Sequence, residues 1–181
     1  MRAVVFILMT SSFLFSSQLS KLYKMYEKQS YNKACDYANK YFLRHKKDEK
    51  FLTLYGLSCV ETNHLSRVAV PMSLLHLSAN ARANASYLGT ILLQKSLLMQ
   101  ALIDEKKIDD LNLPTTNFVL SKVFKLFVDK HYTKKEAEYR FKDELKEDLT
   151  YRLYMISEKK RTYMVLDIYQ DEKFTKRYRY E

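Results

Sequence analysis

The sequence predicts a mainly α-helical protein that ends in a small antiparallel β-meander. Three observations carry this. Only 2 Gly and 2 Pro occur in 181 residues, which disfavours turn-rich all-β folds and favours helices joined by short loops. Apolar residues recur with helical spacing as far as Phe127. Beyond about Glu136 they alternate with polar ones, the period of a strand with one face buried.

The chain opens with MRAVVFILMTSSFLF, a short basic start followed by an apolar block. This is the pattern of an export signal. Small residues follow at Ser16, Ser17 and Ser20. Ser17 and Ser20 meet the small-residue spacing that signal peptidase requires, which places the cut between Ser20 and Lys21. The apolar block Ala3–Phe15 spans roughly 20 Å as a helix, against a hydrocarbon core of about 30 Å. A retained inner-membrane anchor is the alternative. The organisation expected is a signal peptide over 1–20, a helical domain over 21–131 and a meander over 132–181, in a periplasmic protein.

The helices follow in order. Leu19, Leu22, Tyr23 and Tyr26 make one apolar stripe, and Tyr31, Ala34, Cys35, Ala38 and Phe42 make a second. Asp48 caps a third helix, with Leu52, Tyr55, Gly56 and Cys59 on one face. A fourth starts at Asn63 or Ser66 and runs to about Leu77, with Pro71 marking its true start or a kink. Asn80 opens a fifth from Ala81 to about Ile103, apolar around much of its circumference and so deeply buried. Pro114, Thr115 and Thr116 start a sixth, with Leu120, Val123, Phe124 and Phe127 inward.

Cys35 and Cys59 lie equidistant from the Lys46-Lys47-Asp48 turn and on the apolar stripes of their helices. Residues equidistant from the turn of an antiparallel hairpin sit at the same height, so a disulfide is expected in an oxidising compartment. No C-x-x-C spacing is present to suggest redox activity.

Ala34 and Val68 are 34 residues apart, as are Leu22 and Gly56. This period, with Tyr31-Asn32-Lys33-Ala34 as the turn into a second helix, resembles the tetratricopeptide repeat over about residues 19–104. Val68 stands where that family usually has Ala, and its terminal Pro is absent. The resemblance implies antiparallel helical hairpins stacked as a solenoid; a generic helical bundle is the alternative. The stretches KACDYANKYF, KDEKFLTLYGLSCVE, RVAVPMSLL, ARANASYLGTILLQKSLL and LNLPTTNFVLSKVF also resemble a family of small exported proteins of Campylobacter-type bacteria. That resemblance implies export and no particular chemistry.

In the C-terminal part Tyr151, Leu153 and Met155 alternate with Arg152 and Tyr154. Met164, Leu166 and Ile168 alternate in a second run, and Phe174, Lys176, Tyr178 and Tyr180 in a third. Polar turns at Ser157–Lys160 and Gln170–Glu172 separate the runs. Residues 138–148 read equally as a fourth strand or a charged helix. The ending Lys176-Arg177-Tyr178-Arg179-Tyr180 interleaves cations with aromatics, a composition that binds anionic polymers by charge and stacking. The plainer reading is an edge strand protected by charge, with its tyrosines turned inward.

The net charge is +10, which favours anionic partners. Export excludes nucleic acid. Two glycines, neither in a phosphate-loop pattern, and four scattered His give no cofactor, metal or catalytic constellation. The expectation is therefore a non-enzymatic periplasmic helical-repeat adaptor for an envelope protein partner. The alternative is an envelope-binding module that sets the basic meander against anionic lipid or cell-wall polymer.

Overall fold

A computed structural model describes residues 8–181, with side chains from residue 17 onward. Six α-helices, two 3-10 turns and one five-stranded antiparallel sheet are formed by these residues. These residues divide into two compact units, the first ending at residue 85 and the second spanning 86–181, with the boundary inside one helix.

In the first unit α1 (Leu8–Glu27) buries Leu22 completely. The expected signal peptide lies mostly outside the described side chains, and the expected cut between Ser20 and Lys21 falls inside this helix. Gln29 takes a left-handed φ of 53°, and the Ser30 N–H closes on the Met25 carbonyl at 2.9 Å. That is a Schellman ending, formed without the usual glycine. In α2 (Tyr31–Tyr41) Ala34, Cys35 and Ala38 are buried. Asp48 caps α3 (Glu49–Val60), its carboxylate accepting from the Phe51 N–H at 3.1 Å. Small side chains at Ala34, Ala38 and Gly56 let α2 and α3 approach closely. Cys35 and Cys59 form a disulfide between them, with Cα atoms 4.9 Å apart.

The expectation of a helical-repeat solenoid is overturned. The pair after α2 and α3 does not form: α4 (Ala69–Leu74) has six residues and follows a 3-10 turn at Leu65–Arg67. Val68 sits between these two pieces rather than inside a second repeat helix. Pro71 occupies the first turn of α4, where its missing N–H costs nothing. Ser78 then starts α5 (Ala79–Ile103), its hydroxyl accepting from the Ala81 N–H at 3.1 Å. With 25 residues, α5 has no equal-length partner to build a repeat. The 34-residue spacing therefore joins positions in elements of unequal kind and length, not successive repeat helices.

The second unit contains the rest of α5, then α6 (Val119–Val128) and the sheet. Leu88, Ile91, Leu98 and Ala101 are buried along α5, and Leu120, Val123, Phe124 and Phe127 along α6. The strand portion is a meander in the order β1 (Thr133–Lys135), β2 (Glu138–Lys142), β3 (Leu149–Glu158), β4 (Arg161–Gln170), β5 (Lys173–Tyr180). Residues 138–142 are thus a strand, and residues 143–148 a turn. Strand alternation gives the sheet two distinct faces. Tyr139, Leu153, Leu166 and Tyr178 lie in one cross-strand row of the inner face, and Met155, Met164 and Tyr180 in another. Helix α6 covers this face: the rings of Phe118 and Tyr178 are 5.6 Å apart, and those of Phe127 and Tyr139 are 5.1 Å apart.

Two-residue loops join β3 to β4 and β4 to β5. Lys159 and Lys160 have φ of 46° and 69°, and Asp171 and Glu172 have 49° and 64°. Both central residues at positive φ make these type I′ turns, which suit the twist of a hairpin but favour Asn-Gly. This chain has lysine and acidic residues there instead, at a local steric cost.

Candidate functional site: the outer face of the sheet

The outer face carries a different chemistry. One cross-strand row reads Arg140, Arg152, Asp167, Arg177, and the next reads Lys142, Thr150, Tyr169, Phe174. Asp167 is 2% exposed although it points to this side. The Arg177 guanidinium covers it with two bonds of 2.7 and 2.8 Å, and the Tyr154 hydroxyl donates to it at 3.0 Å. Burial, then the bond to Asp167, pushes the Tyr154 hydroxyl up to about 12. This ion pair is structural: a buried carboxylate with its full set of donors.

Beside it lies a concavity of about 790 Å³. By strand register its sheet walls come from Arg140, Lys142, Thr150, Arg152 and Tyr169, with Lys130 and His131 contributed by the segment after α6. Among the described residues Glu172 is the carboxylate that lines it. Lys130 is paired with Asp109 at 2.7 Å and His131 with Glu144 at 2.8 Å. Arg140 donates to Glu138, and Arg152 reaches the same carboxylate oxygen only at 4.0 Å. Lys142 has no ion pair among the described residues. The Arg152 guanidinium lies over the Tyr169 ring, 4.3 Å from its centroid. That stacking fixes the guanidinium and covers one aromatic face, so the concavity offers oriented N–H donors rather than a bare ring.

The residues singled out at the C-terminus are divided by strand alternation. Tyr178 and Tyr180 point into the core, at 5% and 0% exposure, so they are not available to stack on a ligand. Arg177 is held by Asp167. Arg179 bonds Glu158 at 2.6 Å and lies 3.7 Å over Tyr163. Lys176 lies 4.3 Å over Tyr178 on the inner side. The cationic cluster around Lys142 was not recognised in the sequence, because finding it requires β2 and its register with β3.

A larger concavity, about 920 Å³, belongs to the first unit and is lined mainly by apolar groups such as Leu19, Leu54, Leu77 and Ala81. Its carboxylates are committed to structure: Asp48 caps α3, and Glu49 accepts from the Leu77 and Ser78 N–H groups at 2.7 and 3.1 Å. Hydrogen bonding to Ser78 and Leu77 lowers the Glu49 pKa. Size alone therefore does not mark that groove as the site. Among the described residues no group of three or more His, Cys, Asp or Glu could hold a metal ion, and no helix is long and apolar enough to cross a membrane.

No family model, no curated protein and no solved structure matches this chain. The class defined by its own geometry is an α+β protein whose sheet is covered by helix on one face and presents fixed cations on the other.

Proposed function

We propose that the protein is a non-catalytic module of the cell envelope that holds an anionic ligand on the outer face of its sheet. The observation that carries this reading is the concavity lined by Arg140, Lys142 and Arg152, with Glu172 as its one carboxylate among the described residues. Such a site has an excess of donors oriented for oxyanions. The export reading of residues 1–20 and the Cys35–Cys59 disulfide support an oxidising, envelope location. The adaptor reading loses its basis, because it rested on the concave surface of a helical solenoid.

Co-sedimentation of the full chain tests this. The probes are phosphatidylcholine vesicles containing phosphatidylglycerol, and purified cell-wall polymer. Binding to at least one probe is expected at low salt, with loss in 0.5 M salt and in Lys142→Ala/Arg140→Ala. Absence of binding to both probes at low salt, or equal binding by the double variant, contradicts the proposal. Truncation after Tyr169 is not a usable test, since it removes Tyr178 and Tyr180 from the core.

A further inference from the structure

Arg140 and Arg152 are direct cross-strand partners on the outer face. Their Cβ atoms are therefore about 5 Å apart, a spacing at which like charges destabilise a sheet. One carboxylate, Glu138, serves both: Arg140 donates to it, and Arg152 stands 4.0 Å from the same oxygen. Lys142 follows two residues along β2, on the same face and without an ion pair among the described residues. Of the neighbouring carboxylates, Asp167 is held by Arg177 and Glu172 makes no ion pair among the described residues, so Glu138 alone is shared between the two arginines.

We propose, on the basis of the anion-binding reading above, that this cluster binds the tetrahedral dianion of a phosphate monoester. Glu138 acts as the resident counter-ion with which that group competes. A dianion presents several oxygens to donors on adjacent strands, so it can bridge Arg140 and Arg152 and still reach Lys142. A single carboxylate cannot satisfy all three, and the 4.0 Å gap to Arg152 is the geometric record of that shortfall. Arg152, pinned over Tyr169 at 4.3 Å, is already oriented and loses little freedom on binding. The concavity of about 790 Å³ has room for the group that carries the phosphate.

The test uses the full chain with inorganic phosphate and glucose 6-phosphate, read by calorimetric titration and by Tm at constant ionic strength. Phosphatidic acid vesicles are a separate arm. Removing the competing charge in Glu138→Gln should tighten phosphate binding about fivefold, the effect of one unit charge a few Å away in a hydrated site. Arg152→Gln should weaken it about tenfold or more, the loss of a charge-assisted hydrogen bond. Lys142→Gln, at an exposed position, gives the same direction without threatening the fold. Binding of glucose 6-phosphate identifies a soluble phosphorylated ligand. Binding of phosphatidic acid vesicles alone identifies a lipid headgroup. Either supports the phosphate assignment. Equal responses to phosphate, acetate and chloride, or a Glu138→Gln variant that binds no tighter, overturns it. If sedimentation with anionic polymer or vesicles persists in that case, the anion-binding function stands and only the phosphate assignment falls. If both fail, the broader reading falls too.

Discussion

Replacing Asp143 by Asn isolates one polar junction between α6 and the sheet. The Asp143 side chain is 3% exposed. It accepts from the Tyr151 hydroxyl, from Lys122 Nζ at 3.0 Å, and from the backbone N–H groups of Leu145 at 2.9 Å and Lys146 at 3.1 Å. Burial on its own raises the carboxyl pKa. The donors, led by Tyr151 and followed by Leu145 and Lys122, outweigh it and hold the group at about 2 against an ordinary 3.8. The same contact, together with burial, pushes the Tyr151 hydroxyl up.

A depressed carboxylate pKa means that the folded state favours the ionised form. Its contribution is fully present above the unfolded value of 3.8 and fades as pH falls through about 2. The size of the shift corresponds to about 2 kcal/mol of stability at neutral pH. Urea unfolding of the wild type and of Asp143→Asn, followed by circular dichroism from pH 7 to pH 2, measures it. The variant should be less stable by about 2 kcal/mol at pH 7, and the gap should narrow steadily below pH 4. An equal gap at pH 7 and pH 2, or no gap at pH 7, would mean that the ionised Asp143 does not stabilise the fold.

Other outcomes follow from the same structure. Cys35→Ser/Cys59→Ser opens a link with sequence separation 24 and should cost up to about 3.5 kcal/mol in urea unfolding; reductant should destabilise the wild type alone. Arg177→Met strips Asp167 of its bidentate partner while the carboxylate stays buried, and should lower stability by roughly 3 kcal/mol. Lys159→Asn/Lys160→Gly places the preferred pair in a type I′ turn and should raise stability by about 1–2 kcal/mol, seen as a higher Tm. Asp48→Ala removes the cap of α3 and should cost about 1 kcal/mol.

The parts of the fold set by local periodicity were legible in the sequence. The stripe Leu120, Val123, Phe124, Phe127 packs inward as its spacing requires, and the run Tyr151, Leu153, Met155 takes the inner face of β3. The Cys35–Cys59 pairing followed from hairpin symmetry. Long-range arrangement was not legible. A 34-residue interval fits a repeat, yet here it links Ala34 to Val68 and Leu22 to Gly56, pairs in which only one member is small. The short α4 and the long α5 show that no second equal helix pair stands behind it. Strand β2 was ambiguous because EYRFK alternates over only five residues and sits in a charged stretch. Its pairing with β3, rather than its own composition, fixes it as a strand. The candidate site was hidden for the same reason. Arg140 and Arg152 are twelve positions apart in sequence and become neighbours only through that register. Conversely, the Lys176–Tyr180 run looked like a site because a linear reading merges the two faces that a strand separates.

Anion binding on the outer face of the sheet can be seen by amide chemical-shift mapping of the full chain with a short-chain polyphosphate at low salt. Shifts should concentrate at Arg140, Lys142, Arg152 and Tyr169 and disappear in Arg152→Gln. Shifts concentrated instead around Leu19, Leu54 and Leu77, or spread evenly over the surface lysines, would contradict binding at this face.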